Sequence, residues 1–366
     1  MADLLDFVSL SLLPPWCWRV GADWLRRGDA PRVVVRRLVA ASQREDREGS
    51  GGPVDVRALA VDAVHRGEAA AIVAVPWSHA AYPAALAAIA DPPPVLWTRG
   101  AVDVLSAPAV AIVGSRAASP HGLAVAEQLA GDLAARGLVI VSGRARGVDS
   151  AAHRGALAAG GATVAVLGSG VVVVYPREHA PLAQAIDAAR GAVISELVPG
   201  TGPQQWFFPL RNRIISGLSR AVVIVEASEK SGSLITARCA LDQGRDVLAV
   251  PGNVLSGRNR GAHALLKDGA RIVESADDVL EELGMCAANS GVRPPGADDG
   301  RGLTPESPSD QVLDALVPGE ASDLDEISER SGLKSASLLP RLFELEMQGR
   351  VRRAGGGRFI RIDRTC

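Results

Sequence analysis

Residues 138–157 read LVIVSGRARGVDSAAHRGAL: a short apolar run, a loop of small residues and arginines, and a segment of helical length. The apolar run at 138–141 is rich in β-branched residues and too short for a buried helix, so it predicts a strand. A buried strand that passes through a tight loop into a helix is typical of a parallel sheet covered on both faces. The stretch therefore predicts an α/β fold.

Similar short apolar runs recur on both sides of this stretch, separated by segments of helical length. Their spacing predicts an open, doubly wound and mostly parallel sheet. The predicted strands are 110–113, 138–141, 163–167, 192–194, 221–225, 247–250 and 271–273.

The two ends of the chain have different patterns. Residues 1–75 have helical periodicity, interrupted by a Gly-rich hinge at 49–53, and predict a small helical domain. Residues 287–308 are rich in proline and glycine and predict a flexible linker. Beyond it, helices at 310–316, 324–331 and 335–348, followed by a ribbon at 350–353 and 358–362, have the order of a winged helix-turn-helix. We therefore expect domains at 1–75, 76–286 and 309–366.

The overall charge excludes a protein that coats polyanions through a generally basic surface. The 366 residues carry 39 Lys and Arg against 41 Asp and Glu, for a net charge of −2. The basic residues are locally concentrated, because the last twenty residues contain six arginines and a single acidic residue, Asp363. Any site for a polyanion must therefore be local.

The cysteines and histidines predict neither a metal site nor a redox site. Cys17, Cys239, Cys286 and Cys366 contain no C-x-x-C pair, which favours a reducing compartment, and the six histidines lack metal-ligand spacing. The first residues lack the basic start of a signal peptide, and no apolar run approaches the ~18 residues of a membrane span. We expect a cytoplasmic protein without a membrane partner or cofactor.

Ligands of open parallel sheets bind beyond the carboxyl ends of the strands, so the loops at these ends are the candidate sites. Gly114-Ser115-Arg116 follows the first predicted parallel strand, and it is either an ordinary tight turn or a phosphate contact through Arg116. In the loop 142–149, Arg144 and Arg146 are either a second phosphate contact or partners of Asp149, which then caps the next helix.

Two further segments combine features of nucleic-acid sites. Trp206-Phe207-Phe208 precedes Arg211-Asn212-Arg213, and aromatic rings beside arginines are typical of a single-strand groove, although both phenylalanines are equally compatible with the core. Lys230-Ser231-Gly232-Ser233 precedes a helix that carries Thr236, and hydroxyls beside free amides indicate an anion site or simple N-capping.

Catalytic signatures are weak. The chain has neither G-x-G-x-x-G after its first predicted parallel strand nor G-x-x-x-x-G-K-[ST] nor G-x-S-x-G. Glu196 and Glu226 end strands and are either bases or partners of nearby arginines. We therefore expect a binding protein rather than an enzyme.

Six blocks of sequence resemble the DNA-processing protein family called DprA or Smf, and the resemblance extends over about residues 76–275. The N-terminus resembles the family's SAM-like or helix-hairpin-helix domain, and residues 338–351 resemble its winged helix. The blocks are VGSR at 113–116, VSGxARGVDSAAHRGAL at 141–157, FPLRNRIISGLS at 208–219, VVIVEA at 222–227, SGSLITA at 231–237 and GRDVLAVPG at 244–252.

The resemblance implies a Rossmann-like core that binds single-stranded DNA taken up in natural transformation, protects that strand and loads the RecA recombinase onto it. It also implies a homodimer formed through the core, with single-strand-binding protein as a further partner. The residues expected to contact DNA are Gly114, Ser115, Arg116, Ser142, Gly143, Arg144, Arg146, Asp149, Arg177, Phe208, Arg211, Asn212, Arg213, Lys230, Ser231, Gly232, Ser233 and Thr236.

Three positions depart from the family pattern. Arg144 stands where the family usually has Leu, His263 replaces a usual Asn, and Ala180 ends a segment that lacks the usual Asn-Lys pair, with Arg177 as the substitute cation.

Two other functions compete with strand binding. One is a nucleotide-processing enzyme of the lysine-decarboxylase-like (LOG) group, but residues 226–237 lack that group's P-G-G and its following acidic residue. The other is a double-strand DNA regulator acting through the winged helix, whose recognition helix offers few base-reading cations, Lys334 and Arg341.

Overall fold

The computed structural model describes residues 2–45, 55–285, 311–317, 320–333, 335–347, 350–354 and 357–362. Contacts along the chain separate two compact units, one of residues 1–117 and 126–284 and the other of residues 118–125 and 285–366. The predicted hinge at 49–53 and the predicted linker at 287–308 lie outside the described residues. The domain boundaries at 75, 286 and 308 stay predictions.

The larger unit is built on a nine-stranded sheet, counted over the described residues, with the order β1-β2-β6-β5-β4-β3-β7-β8-β9. Its central strands consist of short β-branched runs that are buried on both faces, as expected where helices cover both sides. The strands are β1 Val73–Pro76, β2 Val95–Gly100, β3 Ala109–Val113, β4 Val139–Ser142, β5 Thr163–Val166, β6 Ala192–Ser195, β7 Ala221–Ile224, β8 Asp246–Ala249 and β9 Arg271–Ile272.

The strand order reverses beside β3. From β3 the chain adds β4, β5 and β6 on one side, and then returns to place β7, β8 and β9 on the other side, all in parallel register. The two loops that leave β3 and β7 therefore turn to opposite faces of the sheet. A reversal of this kind opens a crevice at the carboxyl ends of the two strands.

Helices surround this sheet; α1 to α5 and α7 to α12 lie wholly in the same unit, and α6 does so from residue 126 on. Several begin at sequence signals of the expected kind: Asp55 accepts hydrogen bonds from the first amides of α4, and Ser275 forms a reciprocal capping box with Asp278 at α12. The helices are α1 Ala2–Ser11, α2 Pro15–Arg26, α3 Pro31–Glu45, α4 Val56–Ala69, α5 Ala84–Ala87, α6 Pro120–Ala135, α7 Val148–Ala158, α8 Ala180–Ala188, α9 Phe207–Leu218, α10 Ser233–Asp242, α11 Arg260–Lys267 and α12 Ala276–Glu282, with 3₁₀ turns at Asp103–Ser106 and Arg177–His179.

The N-terminal helices α1 to α4 pack in the same compact unit as the sheet. Phe7 and Val8 of α1 join Ala63 of α4 around Trp97 of β2, whose side chain is fully buried. A second apolar cluster lies among the helices themselves and includes Leu13, and the helical region therefore covers the β1–β2 end of the sheet.

The smaller unit has the element order of a winged helix. It contains α13 Gln311–Ala315, β10 Ala321–Ser322, α14 Leu324–Ser331, α15 Ser335–Met347, β11 Val351–Ala354 and β12 Arg358–Arg361. The three strands form an antiparallel sheet in the order β10-β12-β11. Asp323 starts α14 with a capping box to Glu326, and Gly332 ends that helix in the left-handed conformation.

The fold class predicted from the sequence is confirmed, and each predicted parallel strand is present within a residue or two. Two strands were not predicted, β1 and β2, which pair with each other and extend the sheet antiparallel to β6. Prolines at positions 92–94 and Pro76 surround these strands, and such residues usually indicate loops. Trp97 of β2 is fully buried against the N-terminal helices, a long-range contact that local pattern does not indicate.

Arg213 of α9 joins three parts of the larger unit. Its Nη2 lies 2.7 Å from Oε2 of Glu196, its Nε lies 3.0 Å from Oδ2 of Asp91, and its guanidinium lies 5.7 Å from the ring centroid of Trp18 in α2. Arg213 and Glu196 are both buried. The donors of Arg213 are therefore taken up by internal carboxylates, and its predicted contact with DNA stays a prediction.

We expect Arg213→Met to lower the free energy of unfolding by about 3–5 kcal/mol, because it leaves the buried Glu196 carboxylate unpaired. Adding Glu196→Leu should recover much of that loss, since the double variant buries no isolated charge at this position. Arg66→Met, which breaks an exposed pair with Asp62, should cost less than about 1 kcal/mol. Urea denaturation of the four proteins measures these values, and equal costs for the buried and exposed pairs would refute the anchor role of Arg213.

Buried His153 gives the unfolding free energy a defined pH dependence. Its Nδ1 lies 2.7 Å from Oγ1 of Thr163 and its Nε2 lies 2.6 Å from the carbonyl of Gly143. Burial lowers the pKa of His153 from 6.5 to about 4. The unfolded chain therefore binds a proton at His153 between these two pH values while the folded chain does not, so stability falls as the pH falls.

From pH 7.5 to pH 5, this linkage should cost about 2 kcal/mol. His153→Gln should remove that part of the dependence, whereas the carboxylates contribute equally in both proteins. Urea titrations at the two pH values measure the difference, and parallel losses in wild type and variant would contradict a neutral His153.

Candidate nucleic-acid interface

A cleft opens where the strand order reverses, at the carboxyl ends of β3 and β7. It consists of two adjoining cavities of about 640 and 450 Å³, both lined by Arg116, Tyr175, Phe208 and Arg211. We call the two together the switch-point cleft. Its position follows from the topology, because the loops after β3 and β7 diverge there.

The N-terminus of α10 forms one wall of the larger cavity. Ser231, Gly232, Ser233 and Thr236 line it, and the hydroxyls of Ser231 and Ser233 lie 2.7 Å apart. Nδ2 of Asn212 reaches the carbonyl of Gly232 at 3.4 Å, so α9 supports this turn. Amides and hydroxyls at a helix start, with the positive end of the helix dipole, favour a bound anion.

The loop after β3 forms the facing wall. The amide of Ser115 donates to the carbonyl of Glu226, which ties this loop to the end of β7. Arg116 is exposed, and its guanidinium lies over the ring of Phe208 at 5.5 Å from the centroid. Phe208 in turn lies 5.7 Å from the ring of Tyr175. One cation and two aromatic rings therefore stand side by side in the cleft.

Arg211 lies under the cleft, on its floor, and is 6% exposed. Its Nη1 donates to the carbonyl of Val166 at 3.1 Å, and its Nη2 lies 3.6 Å from Oδ2 of Asp149. A Cβ at position 143 would lie 1.8 Å from Nη1, so a side chain there would displace this guanidinium from its place on the floor. Burial raises the pKa of Asp149, against the opposing charge of Arg211.

The loop 142–149 turns sharply between Arg211 and the loop after β3. Gly147 has a φ of 79°, and a Cβ at this position would lie 2.1 Å from the carbonyl oxygen of Ser115. Arg146 is exposed in this loop and pairs with Glu178. Arg144 is buried, and its Nη2 donates to the carbonyls of Val173 and Tyr175.

The structure brings most of the predicted DNA-contacting residues into the switch-point cleft and leaves some outside it. Ser142 is buried and donates to the carbonyl of Ile112, so it stabilises the sheet instead. Lys230 lines a separate exposed cavity with Arg258 and Arg260. The side chain of Arg177 lies outside the described part of the chain. The predicted residues in the cleft are Gly114, Ser115, Arg116, Arg144, Arg146, Asp149, Phe208, Arg211, Asn212, Ser231, Gly232, Ser233 and Thr236.

Tyr175 and Gln205 line the cleft but were not among the predicted site residues. Tyr175 follows β5 by nine residues, too far along an irregular loop for strand-end logic to place it. An aromatic residue directly before Pro176 is the sequence signal that could have indicated Tyr175 as a lining residue.

The candidate bases among the acidic residues lie away from open solvent. Glu196 pairs with Arg213, and Glu226 is 3% exposed. Within the described residues, no group of three or more His, Cys, Asp or Glu has the arrangement of a metal site. In the same residues no helix combines the length and apolarity needed to cross a bilayer.

Family models match both units of the chain. The model described as DNA recombination-mediator protein A matches residues 74–284, and the model described as DprA winged helix domain matches residues 296–357.

Individual relatives agree with these matches. Protein Smf of Escherichia coli is 39% identical over 291 residues, which cover 78% of this chain and 76% of that protein. The DNA processing protein DprA of Streptococcus pneumoniae is 47% identical over 202 residues, covering 55% of this chain and 71% of that protein.

Two solved structures are also similar. The X-ray structure of Streptococcus pneumoniae DprA has a TM-score of 0.63 and 35% identity, over 77% of this chain and 98% of that one. The structure of Helicobacter pylori DprA, described for its single-stranded DNA binding mode, has a TM-score of 0.51 and 32% identity, over 55% of this chain and 92% of that one. With a family model that spans more than half of its length, the chain belongs to the DNA recombination-mediator protein A family, the DprA or Smf proteins.

Proposed function

We propose that this chain binds single-stranded DNA in the switch-point cleft and acts as a mediator of recombination. The observation that carries the proposal is the direct contact of Arg116 with Phe208 opposite the start of α10. A single strand offers phosphates for the cation and the helix start, and unpaired bases for the aromatic rings. A duplex keeps its bases stacked inside and would leave the rings unused.

The cleft supplies two kinds of contact to a strand. Phosphate oxygens accept hydrogen bonds from the first amides of α10, from the hydroxyls of Ser231, Ser233 and Thr236, and from Arg116. Bases stack on Phe208 and Tyr175, which are held against each other. Arg211 is held by the carbonyl of Val166 and by Asp149, and it adds positive potential from the floor rather than a direct contact.

The family relationship supports a place for the bound strand in recombination. The Helicobacter pylori relative is described for its single-stranded DNA binding. We extend this to the present chain, with protection of incoming DNA in natural transformation and loading of RecA as its role. A homodimer and single-strand-binding protein are further proposed partners.

The winged helix of the smaller unit is a second proposed contact to DNA or to a protein partner. Its ribbon carries Arg353 and Arg358 as exposed residues on β11 and β12. Exposed arginines on a ribbon suit contacts to the backbone of a nucleic acid rather than base reading.

Oligo-dT should bind without ATP or a metal ion, with an affinity that falls as salt rises. Arg116→Ala should weaken binding about tenfold, because a charge-assisted phosphate contact is lost. It should also reduce the slope of log K against log salt by about 0.7, the value for one phosphate on a single strand. Fluorescence anisotropy at several salt concentrations measures both.

The control for this experiment is Arg220→Ala. Arg220 is exposed at the start of β7, on the opposite edge of the sheet, and its loss should leave affinity and slope unchanged. No binding of oligo-dT by the wild type at low salt, or an Arg116→Ala protein that binds as the wild type does, would refute the cleft as the site.

Gly232→Asp should weaken DNA binding without lowering the stability of the fold. Nothing lies within 4 Å of a Cβ at this position, and its φ of −63° suits any residue. A carboxylate here stabilises the start of α10 by about 0.3–1 kcal/mol but repels a phosphate. We expect an unchanged or higher melting temperature together with an affinity for oligo-dT at least about tenfold lower.

Gly232→Ala is the matched control, since it adds a Cβ without a charge and should bind nearly as the wild type does. Thermal melting and anisotropy are measured on the same preparations. If Gly232→Asp binds as tightly as Gly232→Ala, the α10 terminus is not a phosphate site.

A further inference from the structure

Tyr175 reaches the cleft at the end of a loop, residues 167–176, that follows β5. We call it the Tyr175 loop. Apart from its 3₁₀ continuation at Arg177–His179 it contains no helix or strand, so its shape depends on what holds its backbone. Arginines from outside the loop bind three of its carbonyl groups. Nη2 of Arg144 donates to the carbonyls of Val173 at 3.3 Å and Tyr175 at 3.1 Å, and Nη1 of Arg99 donates to that of Val171 at 3.4 Å.

The carboxylate of Asp187 supplies negative charge near both arginines. Nε of Arg99 lies 2.8 Å from Oδ2 of Asp187 in α8, and both side chains are about a quarter exposed. Burial, followed by the nearby charge of Arg99, lowers the pKa of Arg144 to about 10, while Asp187 opposes the shift. Arg144 therefore keeps its charge at neutral pH and remains a full donor to the loop.

Arg144 is not placed as a phosphate contact. The residue is 4% exposed, and its Nη1 is buried. Its Nε and Nη2 point to the loop carbonyls, and its own carbonyl lies 3.2 Å from Nδ1 of His179. Arg146, two residues along the same loop, is by contrast exposed. The two arginines of one turn thus face different surroundings.

We propose that Arg144 is a positioning residue that holds the Tyr175 loop so that the Tyr175 ring lies against Phe208 and completes a stacking surface for a DNA base. The inference rests on the proposed binding of single-stranded DNA. Arg144 acts through the backbone of residues 173–175, and Tyr175 makes the contact. A leucine at this position fills space but offers no donor to the carbonyls, and so it leaves the loop without this support.

Arg144→Leu tests the proposal with two ligands: oligo-dT and an abasic oligonucleotide of the same length. We expect a fivefold to tenfold loss of affinity for oligo-dT, no loss for the abasic strand, and an unchanged salt slope. Arg146→Leu is the matched comparison. It removes an exposed arginine of the same turn whose partner is Glu178 rather than the Tyr175 loop, and it should change the affinity for the two ligands by the same factor.

A double-mutant cycle with Tyr175→Ala identifies the route of the effect. If Arg144 acts through Tyr175, Arg144→Leu causes no further loss of oligo-dT affinity once the ring is absent. An additive loss in the double variant, a reduced salt slope or an equal loss for the abasic strand would overturn the proposal, because each indicates a contact that does not pass through Tyr175.

Hydrogen–deuterium exchange of residues 170–176 provides a readout that needs no DNA. We expect faster exchange in Arg144→Leu and partial protection in Arg144→Lys, whose ammonium keeps the charge but not the fork of donors. Unchanged exchange in both variants overturns the proposal even if both fold normally. A wild-type protein that fails to bind oligo-dT refutes the proposed function and the stacking role with it, whereas faster exchange would still identify Arg144 as the support of the loop.

Discussion

The reversal of strand order beside β3 is the constraint on which the rest of the molecule depends. Because β4 and β7 lie on opposite sides of β3, the loops after β3 and β7 leave the sheet in different directions and cannot close over its edge. The opening must then be lined by whatever the neighbouring elements supply. In this chain they are the start of α10, the first turns of α9 and the loop 142–149.

Helix α9 serves the fold and the cleft through residues only two positions apart. Arg211 lies beneath the cleft beside Asp149, whereas Arg213 turns inward to Glu196 and Asp91 and lies beside Trp18. Burying these charges is costly unless their partners are in place. The inward anchor therefore fixes the rotation of α9, and that rotation aims Arg211 and Asn212 at the cleft.

The sequence was sufficient for the parallel strands and the winged-helix order, because short β-branched runs and helix caps are local signals. It was sufficient for the loops at strand ends, which topology alone brings together. It was insufficient to predict the direction in which each arginine side chain points, because nothing local distinguishes Arg211 from Arg213, or Arg144 from Arg146. The direction of these side chains depends on groups that are distant in sequence, such as Glu196 and the carbonyl of Tyr175. The same limit explains why Tyr175 itself was missed.

These different directions also bear on how a chain with a net charge of −2 would form the proposed anion site. Two of the four arginines that line the cleft have acidic partners: Arg211 has Asp149, and Arg146 has Glu178. A third, Arg144, is buried and donates to the carbonyl of Tyr175. Within the described residues Arg116 makes no ion pair and rests on Phe208 instead. In the proposed complex a strand would therefore meet few unpaired cations and would gain much of its binding free energy from helix-terminal amides and stacked rings. Such a surface favours flexible chains with exposed bases over polyanions in general, because charge alone is too sparse to hold them.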